Sequence, residues 1–279
     1  MDVERSSTPA AVAALIDEGP VLLDLDDTGI ATLRLNRPES ANAMDVQLLR
    51  ALHGALLRCH TVAGVRVVVL TGAGKNFCSG GDVRDFVAHG ERLPSHVKEV
   101  SSWLQSVSSM LIGLDVPVIA AVHGYAAGGG GLGLVGSCDF VIAARSARFM
   151  SGAVRVGMIP DGGLTAILTQ LVGLRKAMEL TLTNVTLDAD EALRIGLVTR
   201  VAPDEELMSQ TRTLAGALAQ AAPMAIAECK HLLWNGIGST VANSLVEETR
   251  AVVRLAGTTD CLEALRSVAE RRRPNRGGG

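Results

Sequence analysis

Apolar runs and glycine-rich turns alternate in VVVLTGAGKNFCSGGD (67–82) and again in PVIAAVHGYAAGGGGLGLVGSCDF (117–140). Short apolar runs rich in β-branched residues are typical of buried strands in a largely parallel sheet. Glycine permits backbone conformations and close approaches that a Cβ would prevent. A helix that begins at such a turn has N–H groups without intrahelical partners. We therefore expect two neighbouring loops that present backbone donors to one site.

The rest of the chain predicts an α/β body followed by helices. Strands are expected at 21–26, 30–35, 65–72, 116–122 and 139–144, and helices at 45–61 and 95–114. From about residue 162 the helical segments are 163–171, 175–182, 188–195, 204–220, 223–235, 241–255 and 260–272. Strands that alternate with helices indicate crossover connections and a mostly parallel sheet. We divide the chain into a flexible leader (1–19), an α/β core (20–203) and a helical C-terminal region (204–279).

Composition excludes several classes of protein. The 279 residues are 48% hydrophobic and 20% charged, with a net charge of −3 and no basic stretch outside the tail. Nucleic-acid-binding proteins usually carry a basic face, so we expect no nucleic-acid partner. No apolar run reaches the roughly 20 residues that span a bilayer, and the N-terminus lacks the pattern of a signal peptide. We expect no membrane association.

Cysteines and histidines give no metal-binding pattern. The five cysteines are scattered without a CxxC pair, which favours free thiols in a reducing compartment, and the cytoplasm is the expected location. No metal-ligand spacing connects His53, His60, His89, His96 and His231. We therefore predict no metal.

The two glycine-rich turns suggest an oxyanion hole. Two N–H groups from neighbouring loops can bind one oxygen atom, and loss of one such donor costs roughly 100- to 1000-fold in rate. A purely structural interpretation is that the glycines only let helices pack close to strands. A dinucleotide site is a further alternative, since Gly128, Gly130 and Gly133 match GxGxxG. The acid expected about 20 residues later is absent, however, which disfavours it.

Five segments together resemble the crotonase (enoyl-CoA hydratase/isomerase) family. They are RLNRPESANAM (34–44), 67–82, 117–140, GMIPDGG (157–163) and the helical ending with ERRRP (270–274). The resemblance implies a spiral of ββα units with a helical C-terminal region that covers the pocket or mediates oligomerisation. It also implies a homotrimer or homohexamer and an acyl-CoA thioester substrate, with no cofactor beyond the coenzyme A of that substrate.

The resemblance also assigns the oxyanion donors. The first is the N–H group of Gly81, which follows Ser79 and Gly80. The second is Gly129 or Gly130. This chain has one residue more between Gly124 and Asp139 than the usual family pattern, so counting forward gives Gly129 and counting back gives Gly130.

Residues for binding coenzyme A follow from the same resemblance. The adenine is expected to meet the backbone of Ala41, Asn42, Ala43 and Met44. Candidate phosphate partners are Lys75, Arg84 and the cluster Arg271–Arg273, because lysine and arginine suit phosphate groups. For each of these charges, ordinary solvation at the surface is the alternative.

Both glutamates of the family's hydratases are missing. Leu132 occupies the first position if Gly129 is the second oxyanion donor, and Gly133 occupies it if Gly130 is. Ala153 occupies the second position. Neither side chain can transfer a proton. Asp161, in the turn IPDGG, is the acid that remains, and some family members with an acid at this place shift a double bond.

Three interpretations of Asp161 stay open. It can act as the acid/base of an enoyl-CoA isomerase, or it can cap the helix that follows. A dehalogenase relative uses an aspartate here, but its tryptophan and histidine correspond to Ala153 and Gln105. A hydratase of altered mechanism and a catalytically silent CoA-binding or assembly protein remain the alternatives to an isomerase. For Asp82 and Asp85, helix capping or solvation is the favoured explanation.

Overall fold

A computed structural model describes residues 12–272. Its strands are β1 (Val12–Ile16), β2 (Val21–Asp26), β3 (Ile30–Leu35), β4 (Val67–Gly72), β5 (Val118–Val122), β6 (Tyr125–Ala127), β7 (Phe140–Ala144), β8 (Arg148–Met150), β9 (Leu187–Asp188) and β10 (Arg200–Ala202). Seven strands form one sheet in the order β1-β2-β3-β4-β5-β7-β10, and β6, β8 and β9 form a smaller sheet. The strands β1 to β3 pair antiparallel, and the large sheet is parallel from β3 onward.

Eleven α-helices lie within the described residues. They are α1 (Val46–Thr61), α2 (Val83–Ala88), α3 (Leu93–Gly113), α4 (Gly128–Gly136), α5 (Leu164–Val172), α6 (Leu174–Thr183), α7 (Ala189–Arg194), α8 (Leu207–Ala219), α9 (Pro223–Gly236), α10 (Val241–Ala256) and α11 (Thr259–Ala269). Successive units place one strand in each sheet before a helix, as β5-β6-α4 and β7-β8-α5 do. The α/β class and the helical ending are confirmed.

The N-terminal boundary differs from the prediction. A flexible leader was expected over 1–19, but Val12–Ile16 forms the edge strand β1 and pairs with β2. Its sequence VAALI is short and apolar, and Leu15 and Ile16 pack on the core. This burial stabilises the strand. Residues 1–11 lie outside the described residues, as do residues 273–279.

The core lies on both faces of the parallel strands. Every residue of β4 and β5 is buried, as expected for central strands covered by helices on each side. Helices α1 and α3 pack against each other, and α8 packs against β4, β5 and β7. The carboxyl ends of β4 and β5 both continue into glycine-rich loops, so the sheet brings these loops together.

Helix α9 is tied to the body through Asp139. The buried ammonium group of Lys230 lies 2.9 Å from the Asp139 carboxylate and also donates to the carbonyl oxygens of Leu111 and Val116. The indole N–H group of Trp234 donates to the same carboxylate at 2.7 Å. A buried charge pair with these additional hydrogen bonds fixes α9 of the C-terminal region against the body. Within residues 12–272, no helix is both long and apolar enough to cross a bilayer.

Asn42 holds the loop after β4. Its side chain is fully buried, and Nδ2 lies 2.8–3.1 Å from the carbonyl oxygens of Ala73, Asn76 and Phe77. Its Oδ1 accepts from the Arg37 N–H group at 2.8 Å. One amide therefore satisfies several buried backbone groups that would otherwise lack partners.

We expect Asn42→Ala to destabilise the fold. The substitution leaves these carbonyl groups without their donor, and each unsatisfied buried group costs about 1–3 kcal/mol. Urea unfolding should therefore show a free energy of unfolding lower by at least about 2 kcal/mol. The exposed Asn243→Ala is the control and should change it by less than about 0.5 kcal/mol. Equal stability of the two variants would contradict this role.

Candidate active site

An apolar cavity of about 660 Å³ opens between the glycine-rich loops, α3 and the segment before α5. Its walls contain glycines from both loops and aliphatic side chains from α3 and from the turn before α5. The lining residues are Met44, Ser79, Gly81, Val83, Phe86, Val97, Val100, Ser101, Leu104, Gly128, Gly129, Gly130, Met150, Gly152, Ala153, Arg155, Val156, Gly157, Met158, Ile159 and Asp161.

Backbone hydrogen bonds hold the two loops side by side. The Cys78 N–H group donates to Tyr125 O at 3.0 Å, and the Ala127 N–H group donates to Cys78 O at 2.8 Å. A Cβ at Gly80, where φ is +95°, would lie 2.8 Å from the Gly128 Cα atom. Only glycine allows this contact, so the prediction that the two turns lie together is confirmed.

Unpaired N–H groups line the cavity at this contact. Within residues 12–272, no hydrogen bond uses the N–H group of Gly81. Gly129 and Gly130 lie in the first turn of α4, where N–H groups have no intrahelical acceptor and the helix dipole is positive. These donors can stabilise a negative oxygen atom.

Asp161 points into the cavity and does not cap α5. Helix α5 begins after Gly163 without a side-chain cap, so the capping interpretation is wrong. The Ser101 hydroxyl group donates to Asp161 Oδ2 at 2.9 Å. Asp161 Oδ1 lies 3.0 Å from the position that a Cβ would take at Gly129. The carboxylate is thus held at the first turn of α4 with one oxygen atom bonded to α3.

Burial changes the acidity of Asp161. Desolvation raises the pKa of this carboxyl group above its ordinary value of 3.8, and the hydrogen bond from Ser101 partly opposes the change. A raised pKa moves a carboxylate towards the range in which it can accept and return a proton near neutrality. The position of Asp161 in the cavity and the direction of its pKa shift are therefore both compatible with the predicted acid/base role.

The positions of the missing glutamates are apolar and buried. Leu132 lies in α4 and is 1% exposed, and Ala153 lines the cavity at 6%. Among the described residues that line the cavity, Asp161 is the one carboxylate. Gln105 is exposed on α3 and is not part of the lining.

The stretch predicted to meet adenine, residues 41–44, is held by hydrogen bonds to its backbone carbonyl groups. Ala41 and Asn42 both have positive φ, and their carbonyl oxygens accept from the Ser79 N–H group and the Cys78 thiol. The carbonyl oxygen of Ala43 accepts from the Arg37 guanidinium group, and that of Met44 accepts from the backbone N–H group of Asp82. Each carbonyl keeps a second lone pair for a ligand.

The described candidates for phosphate binding, Lys75, Arg84, Arg271 and Arg272, are exposed, and none of them is part of the cavity lining. Lys75 lies in the loop after β4, and Arg84 follows Val83, whose side chain lines the cavity. Arg271 lies after α11, at the far end of the C-terminal helices, and Arg273 lies outside the described residues. The structure brings Arg84 near the cavity and leaves Lys75, Arg271 and Arg272 as surface groups.

Sequence reasoning missed two polar lining residues. Ser101 could have been found from the register of α3, because Val97, Ser101 and Leu104 recur at helical spacing on the face towards the cavity. Arg155 lies in a short helical turn after β8, and no sequence pattern marks it.

The other candidates have structural explanations. Asp82 caps α2 and pairs with Arg37, as the capping interpretation predicted. Cys78 is fully buried, which raises the pKa of its thiol to about 12 and disfavours a nucleophilic role. Asp85 is not a cap, since its carboxylate contacts His96.

Comparisons with known proteins agree with this geometry. The family model described as enoyl-CoA hydratase/isomerase matches residues 26–278. The chain belongs to the enoyl-CoA hydratase/isomerase family. Family membership confirms the resemblance, the crotonase-like fold and the acyl-CoA class of substrate.

Relatives and solved structures in this family span nearly the whole chain. A Rhodobacter capsulatus protein named "Probable enoyl-CoA hydratase" is 36% identical over 248 residues, which are 88% of this chain and 94% of that protein. The crystal structure of an enoyl-CoA hydratase from Bacillus anthracis superposes with a TM-score of 0.88 at 33% identity, covering 94% of this chain and all of that one. A Mycobacterium smegmatis enoyl-CoA hydratase structure gives 0.87 at 30% identity, with coverage of 92% and 99%.

The burial of Asp161 predicts how Asp161→Asn changes stability with pH. Because the folded-state pKa is raised, the native protein binds more protons than the unfolded chain at pH values between 3.8 and that folded pKa, and wild-type stability falls as pH rises through this window. The amide that replaces this carboxyl group does not titrate, so the variant does not lose stability as pH rises through the window. Urea unfolding at several pH values should show the variant gaining stability relative to wild type from about pH 4 upward.

Asp27→Asn, at an exposed turn, controls for the change of charge. A difference between Asp161→Asn and wild type that does not change with pH would contradict the raised pKa.

Proposed function

We propose that this protein is an enoyl-CoA isomerase, which moves a double bond along the acyl chain of a CoA thioester with Asp161 as acid/base. One observation carries the proposal: Asp161 is the one carboxylate among the described cavity-lining residues, and it lies against the first turn of α4. A hydratase of the usual kind needs a second acid in this cavity.

The proposed reaction needs one base and one anion site. The N–H groups of Gly81 and of the first turn of α4 bind the thioester carbonyl oxygen. Asp161 Oδ1 removes a proton from one carbon, and the electron pair of that C–H bond forms an enolate held by these donors. The same carboxyl group returns the proton to another carbon as the double bond shifts. Asp161 regains its initial charge, and no cofactor is consumed.

Gly129 is our choice for the second donor. The chain runs without a bulge from Gly124 through β6 into α4, so counting forward from Gly124 applies at the start of the helix. The additional residue then falls in the later part of α4. Gly130 faces Met44 and Leu104, whereas Gly129 faces Asp161, where the enolate would form.

The surroundings of the cavity support binding of coenzyme A. We propose that the adenine meets the free lone pairs of the Ala41–Met44 carbonyl groups, which lie beside Gly80 and Gly81. Arg84, and in a weaker way Lys75, would contact phosphate groups from the exposed rim. The free cysteines, three of them buried, favour the cytoplasm as the compartment.

A hydratase of altered mechanism is the second candidate, because relatives that cover 88% and 94% of this chain are named enoyl-CoA hydratase. Water would add across the double bond with Asp161 as the sole proton carrier. A catalytically silent acyl-CoA-binding protein is the third outcome to be tested.

We expect Asp161→Asn to reduce isomerisation of 3-enoyl-CoA to 2-enoyl-CoA by roughly 100- to 10,000-fold, because general acid–base catalysis supplies about that factor. Acyl-CoA binding, measured by calorimetry, should remain within a few-fold of wild type. Ser101→Ala should slow the reaction less and shift its pH profile, since Ser101 positions the carboxylate and opposes its raised pKa.

The exposed Asp27→Asn is the matched control and should retain full activity. Faster addition of water to 2-enoyl-CoA than isomerisation by the wild type would favour the hydratase. A wild type that binds acyl-CoA without turning over chains of several lengths would favour the silent protein.

Helices α10 and α11 support a homotrimer or homohexamer. Both are amphipathic, and they expose apolar side chains that a monomer rarely leaves in contiguous patches. These side chains are Val241, Leu245, Val246, Val252, Val253, Leu262, Leu265 and Val268. We propose that this surface packs against other copies of the chain.

Light scattering after size-exclusion chromatography should give the mass of three or six chains. Val253→Asp combined with Val268→Asp should shift that mass towards the monomer of 29.0 kDa, because each charge would be buried in the interface. Glu248→Ala, an exposed change on α10, should leave the mass unchanged. A wild type that elutes as a monomer at all concentrations would contradict the interface.

A further inference from the structure

Three side chains outside the cavity lining form a compact cluster between α2 and α3. Asp85 and His89 are four residues apart at the end of α2, and His96 lies in the first turn of α3. His96 Nε2 is 2.5 Å from Asp85 Oδ2, and His89 Nδ1 is 3.6 Å from Asp85 Oδ1. One potential ligand atom from each of the three residues lies within 4.8 Å of the others.

No sequence pattern indicates this cluster. The histidines are seven residues apart, which matches no common metal-ligand spacing, and Asp85 was interpreted as a cap or a solvated acid. The turn between α2 and α3 reverses the chain and brings His96 back over His89. Their rings stack with centroids 3.5 Å apart and planes inclined by 6°.

The donor set suits a transition-metal ion. Two imidazoles and one carboxylate form a common ligand set for Zn²⁺, with a fourth position open to water. His89 Nδ1 lies 2.7 Å from the Asp85 carbonyl oxygen. When Nδ1 donates its hydrogen to that oxygen, Nε2 carries the free lone pair of the ring and can bind the ion. An outer hydrogen bond of this kind orients metal-binding histidines.

The His89 and His96 rings are stacked and nearly parallel, so lone pairs that lie in the two ring planes cannot point at one ion. One ring must therefore rotate before both histidines can bind the same ion. His96 has 9% of its side chain exposed and is fixed by Phe86 and Asp85. His89 is 28% exposed and lies at the C-terminal end of α2, so its ring is the one with room to turn. All three residues are at most partly buried, so an ion can reach them from solvent.

We propose that Asp85, His89 and His96 bind one divalent transition-metal ion, with Zn²⁺ as the preferred ion. The ion would join α2 to α3 at a wall of the acyl cavity. Phe86 connects the two sites, since its ring contacts His96 and would lie 2.8 Å from a Cβ placed at Gly81. The proposal does not depend on which reaction Asp161 performs.

Calorimetric titration of the chelator-treated, full-length protein with ZnCl₂ should show one site per chain. Titration with Co²⁺ should give the visible absorption bands of a four-coordinate ion with nitrogen and oxygen ligands. His89→Ala and His96→Ala should each raise the dissociation constant at least tenfold, the smallest effect expected even for an outer-shell partner. Circular dichroism checks that each variant is folded.

His231→Ala is the matched control, because His231 lies 3.5 Å from Asp115 in an exposed pair without a second imidazole. It should bind Zn²⁺ like the wild type. Double replacement of Cys229 and Cys261 by serine tests the less buried thiols as the source of binding. Absence of stoichiometric binding by the wild type, equal affinity in the His89 and His96 variants, or loss of binding in the serine variant would overturn the proposal.

Discussion

Close pairing of backbone segments around Gly80 is the constraint on which this site depends. The Met44 N–H group donates to Gly80 O at 2.7 Å, and the Asp82 N–H group donates to Met44 O at 2.9 Å. On the other side, Cys78 pairs with Tyr125 and Ala127. Three loops from distant parts of the chain thus form one small network. The donors and acceptors of this network are main-chain atoms. It therefore holds the N–H groups of Gly81 and of the first turn of α4 in place without help from a catalytic side chain.

Asp161 lies outside that network and brings the one carboxylate of the described lining. The hydroxyl group of Ser101 holds one of its oxygen atoms, and the other faces α4. Burial raises its pKa, and the hydrogen bonds from Ser101 and from its own backbone N–H group lower it, with burial the larger effect. This arrangement is the reason for proposing that the protein moves a proton within its substrate instead of adding water.

Much of the fold could be predicted because its signals are local. The apolar runs at 65–72 and 116–122 predicted strands that the structure has at 67–72 and 118–122, and the helical spacing after residue 162 predicted helices that it also has. The sheet order also explains why two glycine turns converge. The edge strand β1 was missed, because a short apolar stretch between acids predicts a strand only when a partner is known. The strands of the small sheet, which have only two or three residues each, were missed because such short segments give no periodic signal.

The candidate site was predictable where it consists of backbone and much less so where it depends on contacts between helices. Gly81 and the pair Gly129 and Gly130 follow from motifs, whereas Ser101 and the cluster at Asp85 depend on how α2 and α3 pack. The choice between helix cap and free carboxylate at Asp161 needed the φ angles of Gly162 and Gly163, both positive, which separate it from α5. Sequence alone does not determine that turn.

The glycine contacts divide the cavity into an invariable half and an adjustable half. A Cβ at Gly80, Gly124, Gly128 or Gly131 would meet main-chain atoms at 2.8 Å or less, so no side chain can be introduced there without moving both loops. The opposite walls, from α3 and from residues 150–159, consist of side chains, and in the second wall Val156 and Ile159 are exposed, with Ile159 at 76%. Changes in acyl-chain preference among descendants of this sequence can therefore accumulate on those walls while the chemistry beside them stays the same.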